Sequence, residues 1–92
     1  MIRSIRHKGL LCFFSNGDTK GINARHAVRI ERLLDRLDAA TKPEDMLLPG
    51  FGFHVLTGVK PKRYAVSVSG NWRITFAFDD GDAVDVYLED YH

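Results

Sequence analysis

Residues 63–88 read RYAVSVSGNWRITFAFDDGDAVDVYL, three β-prone runs separated by two clusters of turn formers. The runs are Arg63 to Ser69, Trp72 to Phe78 and Ala83 to about Leu88, with Ser69-Gly70-Asn71 and Asp79-Asp80-Gly81-Asp82 as tight reversals between them. A fourth run, Phe51 to Thr57, lies upstream beyond Pro49-Gly50. Short reversals between consecutive strands dictate an antiparallel meander. Alternation of period two then assigns its faces. Phe53, Val55, Tyr64, Val66, Val68, Trp72, Ile74, Phe76, Phe78, Val84, Val86 and Leu88 are expected to face a core. His54, Ser67, Ser69, Arg73, Thr75 and Tyr87 take the other side.

Upstream of residue 49 the period changes to that of helices. Ile2 and Ile5 predict a short N-terminal strand. Leu10 to Phe14 predicts a short buried helix that stops at Ser15-Asn16-Gly17. Asn23 is the expected N-cap of a helix from Ala24 to about Ala39, in which Ala27, Ile30, Leu34 and Leu37 form the buried stripe. Arg25, Arg29, Arg32 and Arg36 fall within roughly 60° of one another at ~100° per residue, nearly opposite that stripe. Such a ridge fits either contact with a polyanion or an ordinary solvated helix face. The expected fold is α+β: a short strand, two helices, then the meander packed on the helices.

A chain of 92 residues supports one small domain, 1–92, without room for a second catalytic core. With 45% hydrophobic and 27% charged residues it has the composition of an ordinary folded domain. One cysteine, Cys12, excludes an internal disulfide and points to the cytoplasm; no apolar run is long enough for a signal peptide or membrane span. The net charge is only +1, but it is unevenly spread. All 13 Lys and Arg lie in residues 1–78, which carry a net +7, while residues 79–92 hold six acids. That asymmetry can draw a polyanion to one face, or simply solvate a surface.

Arg73, in Trp72-Arg73-Ile74-Thr75-Phe76, leaves a rigid strand on the side away from the core. A guanidinium fixed there suits a phosphate, with a cross-strand ion pair to Asp85 or Glu89 as the plain alternative. His54 shares that face as a proton donor, a phosphate ligand or a surface residue. Tyr91 and His92 follow the last strand directly; terminal residues commonly fray, but a strand running up to the final residue would set His92 beside the sheet. His7, His26, His54 and His92 lack the spacing of a zinc motif, and no phosphate-loop or nucleophile-elbow motif is present, so neither metal nor cofactor is expected. An arginine, two histidines, a tyrosine and an aspartate can nevertheless cleave RNA. Deprotonation of the 2′-hydroxyl, charge stabilisation at phosphorus and protonation of the 5′-oxygen need no more than these groups. DNA lacks the hydroxyl and would be spared.

These residues occur in a specific combination. Met1-Ile2-Arg3-Ser4 with His7-Lys8-Gly9-Leu10, Leu37-Asp38-Ala39-Ala40-Thr41, His54 with Leu56 and Gly58, Gly70-Asn71-Trp72-Arg73-Ile74-Thr75-Phe76, Gly81-Asp82-Ala83 and the closing Asp90-Tyr91-His92 together resemble the HigB-type host-inhibition toxins of bacterial toxin–antitoxin modules, in the RelE/ParE superfamily. The likeness spans nearly the whole chain. It implies a RelE-like α+β fold and ribosome-dependent cleavage of mRNA in the A site. It further implies a HigA-type helix-turn-helix antitoxin that represses the operon, so that operator DNA is met only through the antitoxin. Roles in binding or cutting mRNA are implied for His54, Arg73, Asp90, Tyr91 and His92. Thr57 stands where the family commonly has a lysine, Val59 where it has an aspartate, and Tyr64 where it has a tryptophan. Lys60, Lys62 and Arg63, in the following loop, are candidates to restore the missing phosphate contact. Two rivals remain at this level. One is a gyrase inhibitor of the ParE type, against which His54 and the Asp-Tyr-His end argue. The other is a nucleic-acid-binding relative without catalysis.

Overall fold

The computed structural model describes residues 1–91. Two helices, α1 (Lys8–Asn16) and α2 (Ala27–Ala39), precede four strands: β1 (His54–Leu56), β2 (Arg63–Ser69), β3 (Trp72–Asp79) and β4 (Asp82–Asp90). The strands form an antiparallel sheet in the order β1-β2-β3-β4, the meander expected from the turn residues. The N-terminal segment lies parallel to the free side of β4. It is held there by bridges at Ile2–Ala83 and Ile5–Val86 rather than by a continuous strand.

The helices form where the sequence places their signals. His7 caps α1, its Nδ1 accepting the Leu10 N–H at 3.0 Å, and Gly17 ends the helix in the left-handed region at φ +74. Asn23 caps the next segment by accepting the Arg25 N–H, but the first turn, Ala24–His26, is a 3₁₀ turn, and α2 proper begins at Ala27. Its buried residues are Ile30, Leu33, Leu34 and Leu37. Leu33 shifts the centre of the apolar stripe toward the arginines, so the arginine ridge flanks the core instead of standing opposite it.

Leu10, Ile30, Leu34 and Leu37 from the helices meet Val66, Ile74, Phe76, Val86 and Leu88 from the sheet. Met46 and Phe51, which come from the irregular connection between α2 and β1, complete that core and are fully buried. The strand expected from Phe51 to Thr57 is therefore much shorter. Phe51 dips into the core, its carbonyl accepts the Ser67 N–H at 2.7 Å, and Gly52 turns the chain at φ +61. A side chain at Gly52 would sit 2.7 Å from the Ser67 hydroxyl. Val55 ends up exposed rather than in the core.

A second departure lies in β4. Thr75 pairs with Tyr87 but Ala77 pairs with Val84, so β4 carries one extra residue, and Asp85 adopts φ +52 there. The slip moves Val84 to the far face and puts Ala83 into the core. On that far face Ala65, Thr75 and Ala77 are also buried. The sheet is thus covered on both sides at its centre, not on one.

Gly9 and Gly21 mark a close backbone crossing at the start of α1. A Cβ at Gly9 would collide with the Gly21 carbonyl, and one at Gly21 with the Gly9 Cα. Because backbone cannot rotate aside as a side chain can, Gly9→Ala is expected to cost about 1–3 kcal/mol. The check is the urea midpoint: a clear drop fits the crossing, and an unchanged midpoint contradicts it.

Candidate active site

The far face of the sheet gathers the polar side chains. Register places Ser67, Arg73 and Glu89 side by side in one row, and His54, Ala65, Thr75 and Tyr87 in the next. Tyr91 continues that face two residues past Glu89, and its backbone N–H donates to the Asn71 carbonyl at 3.0 Å, which ties the end of the chain to the β2–β3 hairpin.

Arg73 is the centre of this arrangement. Its Nη2 donates to Glu89 Oε2 at 3.1 Å, and its guanidinium carbon lies 3.9 Å from the centroid of the Tyr91 ring. The side chain is only 16% exposed. Its Nε is buried with no hydrogen-bond partner among the described residues, a condition that costs about 1–3 kcal/mol for a neutral donor and more for a charged one. The cross-strand ion pair weighed as the alternative thus exists, with Glu89. It leaves a desolvated cation fixed against an aromatic ring.

Three further groups surround the row of Tyr87. The Arg6 guanidinium lies 5.3 Å from the Tyr87 centroid, and the His7 ring meets the same ring edge-on at 5.4 Å. Arg63 donates from Nη2 to Thr75 Oγ1 and to the Asp85 carbonyl, each at 2.8 Å. Burial lowers the Arg63 pKa from its ordinary value and the nearby Arg6 charge lowers it further, with Asp85 and Glu89 acting in the opposite sense. Arg6, Arg63 and Arg73 therefore make this a cationic face. Of these, Arg6 was invisible in the sequence, because only the parallel bridge of Ile5 to Val86 carries it over Tyr87.

His54 stands on the same face but apart. Two strand spacings and one side-chain row separate it from Arg73, about 12 Å between their backbones, while the Arg73 side chain leans the other way, toward β4. The His54 Nδ1 lies 3.0 Å from the Gly52 carbonyl. Since a carbonyl only accepts, Nδ1 carries the hydrogen in the neutral ring and Nε2 presents a lone pair. Asp90 pairs with Trp72 and by alternation belongs to the helix side of the sheet, opposite Arg73. His92 lies outside the described residues.

The expected nucleic-acid-binding cations divide into two kinds. Arg25, Arg32, Arg36, Lys60 and Lys62 are exposed. Arg29 is not part of a free ridge: it donates to the Gly50 carbonyl at 2.6 Å and the Ser67 carbonyl at 3.0 Å and covers Phe51, strapping α2 to the sheet. Arg63, expected in a loop, is the first residue of β2 and is tied to Thr75 and the bulge. Both lie where the chain must satisfy inward-facing carbonyls, which spacing alone does not reveal. Among the described residues no three His, Cys, Asp or Glu side chains converge as a metal-ligand set.

Comparison with known proteins agrees with this architecture. Residues 3–92 match the model of the HigB-like toxins, described as RelE-like toxins of the type II toxin–antitoxin system HigB. The chain is 39% identical over 92 residues to the endoribonuclease HigB of Proteus vulgaris, covering the whole of both chains. An α+β chain with a four-stranded antiparallel sheet, matched from end to end in this way, belongs to the HigB-like family of type II toxin–antitoxin toxins.

Proposed function

We propose that the chain is an endoribonuclease that cuts mRNA on the ribosome, in the A site, and so stops translation. The observation that carries this reading is the Arg73–Tyr91 pair, a buried guanidinium against an aromatic ring on the face that also holds His54. It is supported by whole-length similarity to a protein named as an endoribonuclease.

In this reading the 2′-hydroxyl gives its proton to the Nε2 lone pair of His54, and the 2′-oxygen attacks the adjacent phosphorus. The P–O5′ bond breaks, leaving a 2′,3′-cyclic phosphate and a 5′-hydroxyl end. His92 returns a proton to the departing 5′-oxygen. Arg73, held by Glu89 through Nη2, donates from its other N–H groups to the phosphate as negative charge builds on its oxygens. One face of the Tyr91 ring is held by Arg73, and the other, on a residue that is 42% exposed, receives a base. Asp90, across the sheet end, orients the terminal groups. No metal ion enters this scheme. Arg25, Arg32, Arg36, Lys60 and Lys62 contact the phosphate backbone of the ribosomal complex.

As a toxin of a type II module the chain has an antitoxin partner. In our reading it is of the HigA helix-turn-helix type, and operator DNA is reached only through it. In our reading the site of action is the cytoplasm, where translating ribosomes are. No helix among the described residues is long and apolar enough to cross a membrane.

Cell-free translation tests this function. With the chain present, reporter mRNA is expected to be cut only when ribosomes are translating it, with 5′-hydroxyl ends at the cuts. A 2′-deoxy residue at the cut position is expected to abolish cleavage there. Equal translation with the chain and with its His92→Ala variant would contradict the reading.

A further inference from the structure

A cavity of about 330 Å³ opens at the other side of the same sheet end, between the start of α1, the loop before α2 and the β2–β3 hairpin. Among the described residues its wall includes His7, Lys20, Asn23, His26, Trp72 and Leu88, with Asp90 next to Trp72 in the strand register. The volume lies in the range of small-molecule sites. His26 and Trp72 rings are 6.2 Å apart and tilted by 60°, two flat aromatic surfaces at an angle to each other. The donors are equally well defined. His7 Nδ1 accepts the Leu10 N–H, so in the neutral ring the hydrogen is on Nε2; Asn23 Oδ1 accepts the Arg25 N–H, so its NH₂ group is the remaining donor. Lys20 adds a positive charge at the exposed rim.

Position links this cavity to the Arg73 face. Trp72 immediately precedes Arg73 and pairs with Asp90, and the His7 ring that lines the cavity also meets Tyr87 on the far face. A single strand held by Arg73 and Tyr91 can therefore continue around the sheet end toward Trp72. We propose that the cavity binds one nucleotide of the RNA beside the cleaved linkage, its base against Trp72 and His26 and its phosphate on Lys20. The assignment rests on the ribonuclease reading above. It adds a second stacking platform, one that reads a base away from the reacting phosphate.

Trp72 is the only tryptophan of the chain, so its emission reports on the cavity directly. The probe is a short 2′-O-methyl oligoribonucleotide, which binds but lacks the hydroxyl needed for cleavage. Saturable quenching is expected, with affinity weakened about tenfold by His26→Ala. Lys20→Ala, an exposed change that keeps the fold, is expected to reduce the salt slope of log K by about 0.7, the value of one single-strand phosphate. No quenching while mRNA is still cleaved would overturn the cavity assignment and leave the ribonuclease reading intact. Quenching without any mRNA cleavage would overturn the ribonuclease reading, and with it the place beside a cleaved linkage, and would keep only nucleotide binding in the cavity. Quenching by the antitoxin but not by RNA would overturn the assignment in favour of the protein partner.

Discussion

Arg73→Ala is expected to lower mRNA cleavage about 10²–10³-fold, the usual loss when a preorganised charge donor to a developing oxyanion is removed. The size follows from burial. A side chain 16% exposed and fixed by Glu89 and Tyr91 has already given up its water, so its charge acts through protein rather than solvent. Arg73→Lys is expected to recover only a small part of the loss, because an ammonium keeps the charge but lacks the planar fork that meets both Glu89 and a phosphate. The Glu89 carboxylate left without its partner lowers stability as well, so cleavage is compared at protein concentrations corrected for the folded fraction. Full activity in Arg73→Ala would remove this residue from the site.

Arg63→Met is expected to destabilise the fold by about 2–4 kcal/mol, since it strips a buried hydroxyl and the bulge carbonyl of their donor while keeping most of the apolar stem. Thr75 is 1% exposed and cannot turn to water for a replacement. For a chain of this size the expected loss in Tm is about 10–25 °C. Lys62→Met, one residue earlier and exposed, is expected to stay within about 0.5 kcal/mol. Equal Tm values for the two variants would show that Arg63 is not the clamp its contacts describe. RNA binding at a temperature where both are folded separates this role from the phosphate contact that its place beside Lys60 and Lys62 invites.

The contrast between Arg73 and Arg63 also shows what a one-dimensional pattern can and cannot carry. Arg73 was legible because strand alternation is local: apolar residues on either side put it on the face away from the core, whatever the rest of the chain does. Arg63 was not, because its partners are 12 and 22 residues away and one of them is a backbone carbonyl exposed by a bulge. That bulge itself was hidden, since Asp85 takes a positive φ at a position where the sequence shows no glycine. The same cause misplaced Val84 and concealed Ala83. Met46 and Phe51 are core residues without periodicity, delivered by an irregular connection whose path is fixed only by what it packs against. Helix positions were read well, but the ridge was read as too free: Arg29 is held by two carbonyls of other elements. Of the expected catalytic set, Arg73 and Tyr91 meet, His54 shares their face, and Asp90 lies on the other side of the sheet.

The central claim is that this face cuts mRNA during translation. Its most direct test is 5′-end mapping of cellular mRNA after brief induction of the intact chain, with Arg73→Ala and His92→Ala alongside. New 5′-hydroxyl ends are expected inside translated reading frames, absent from both variants. Growth arrest without such ends, or ends that persist in both variants, would contradict it.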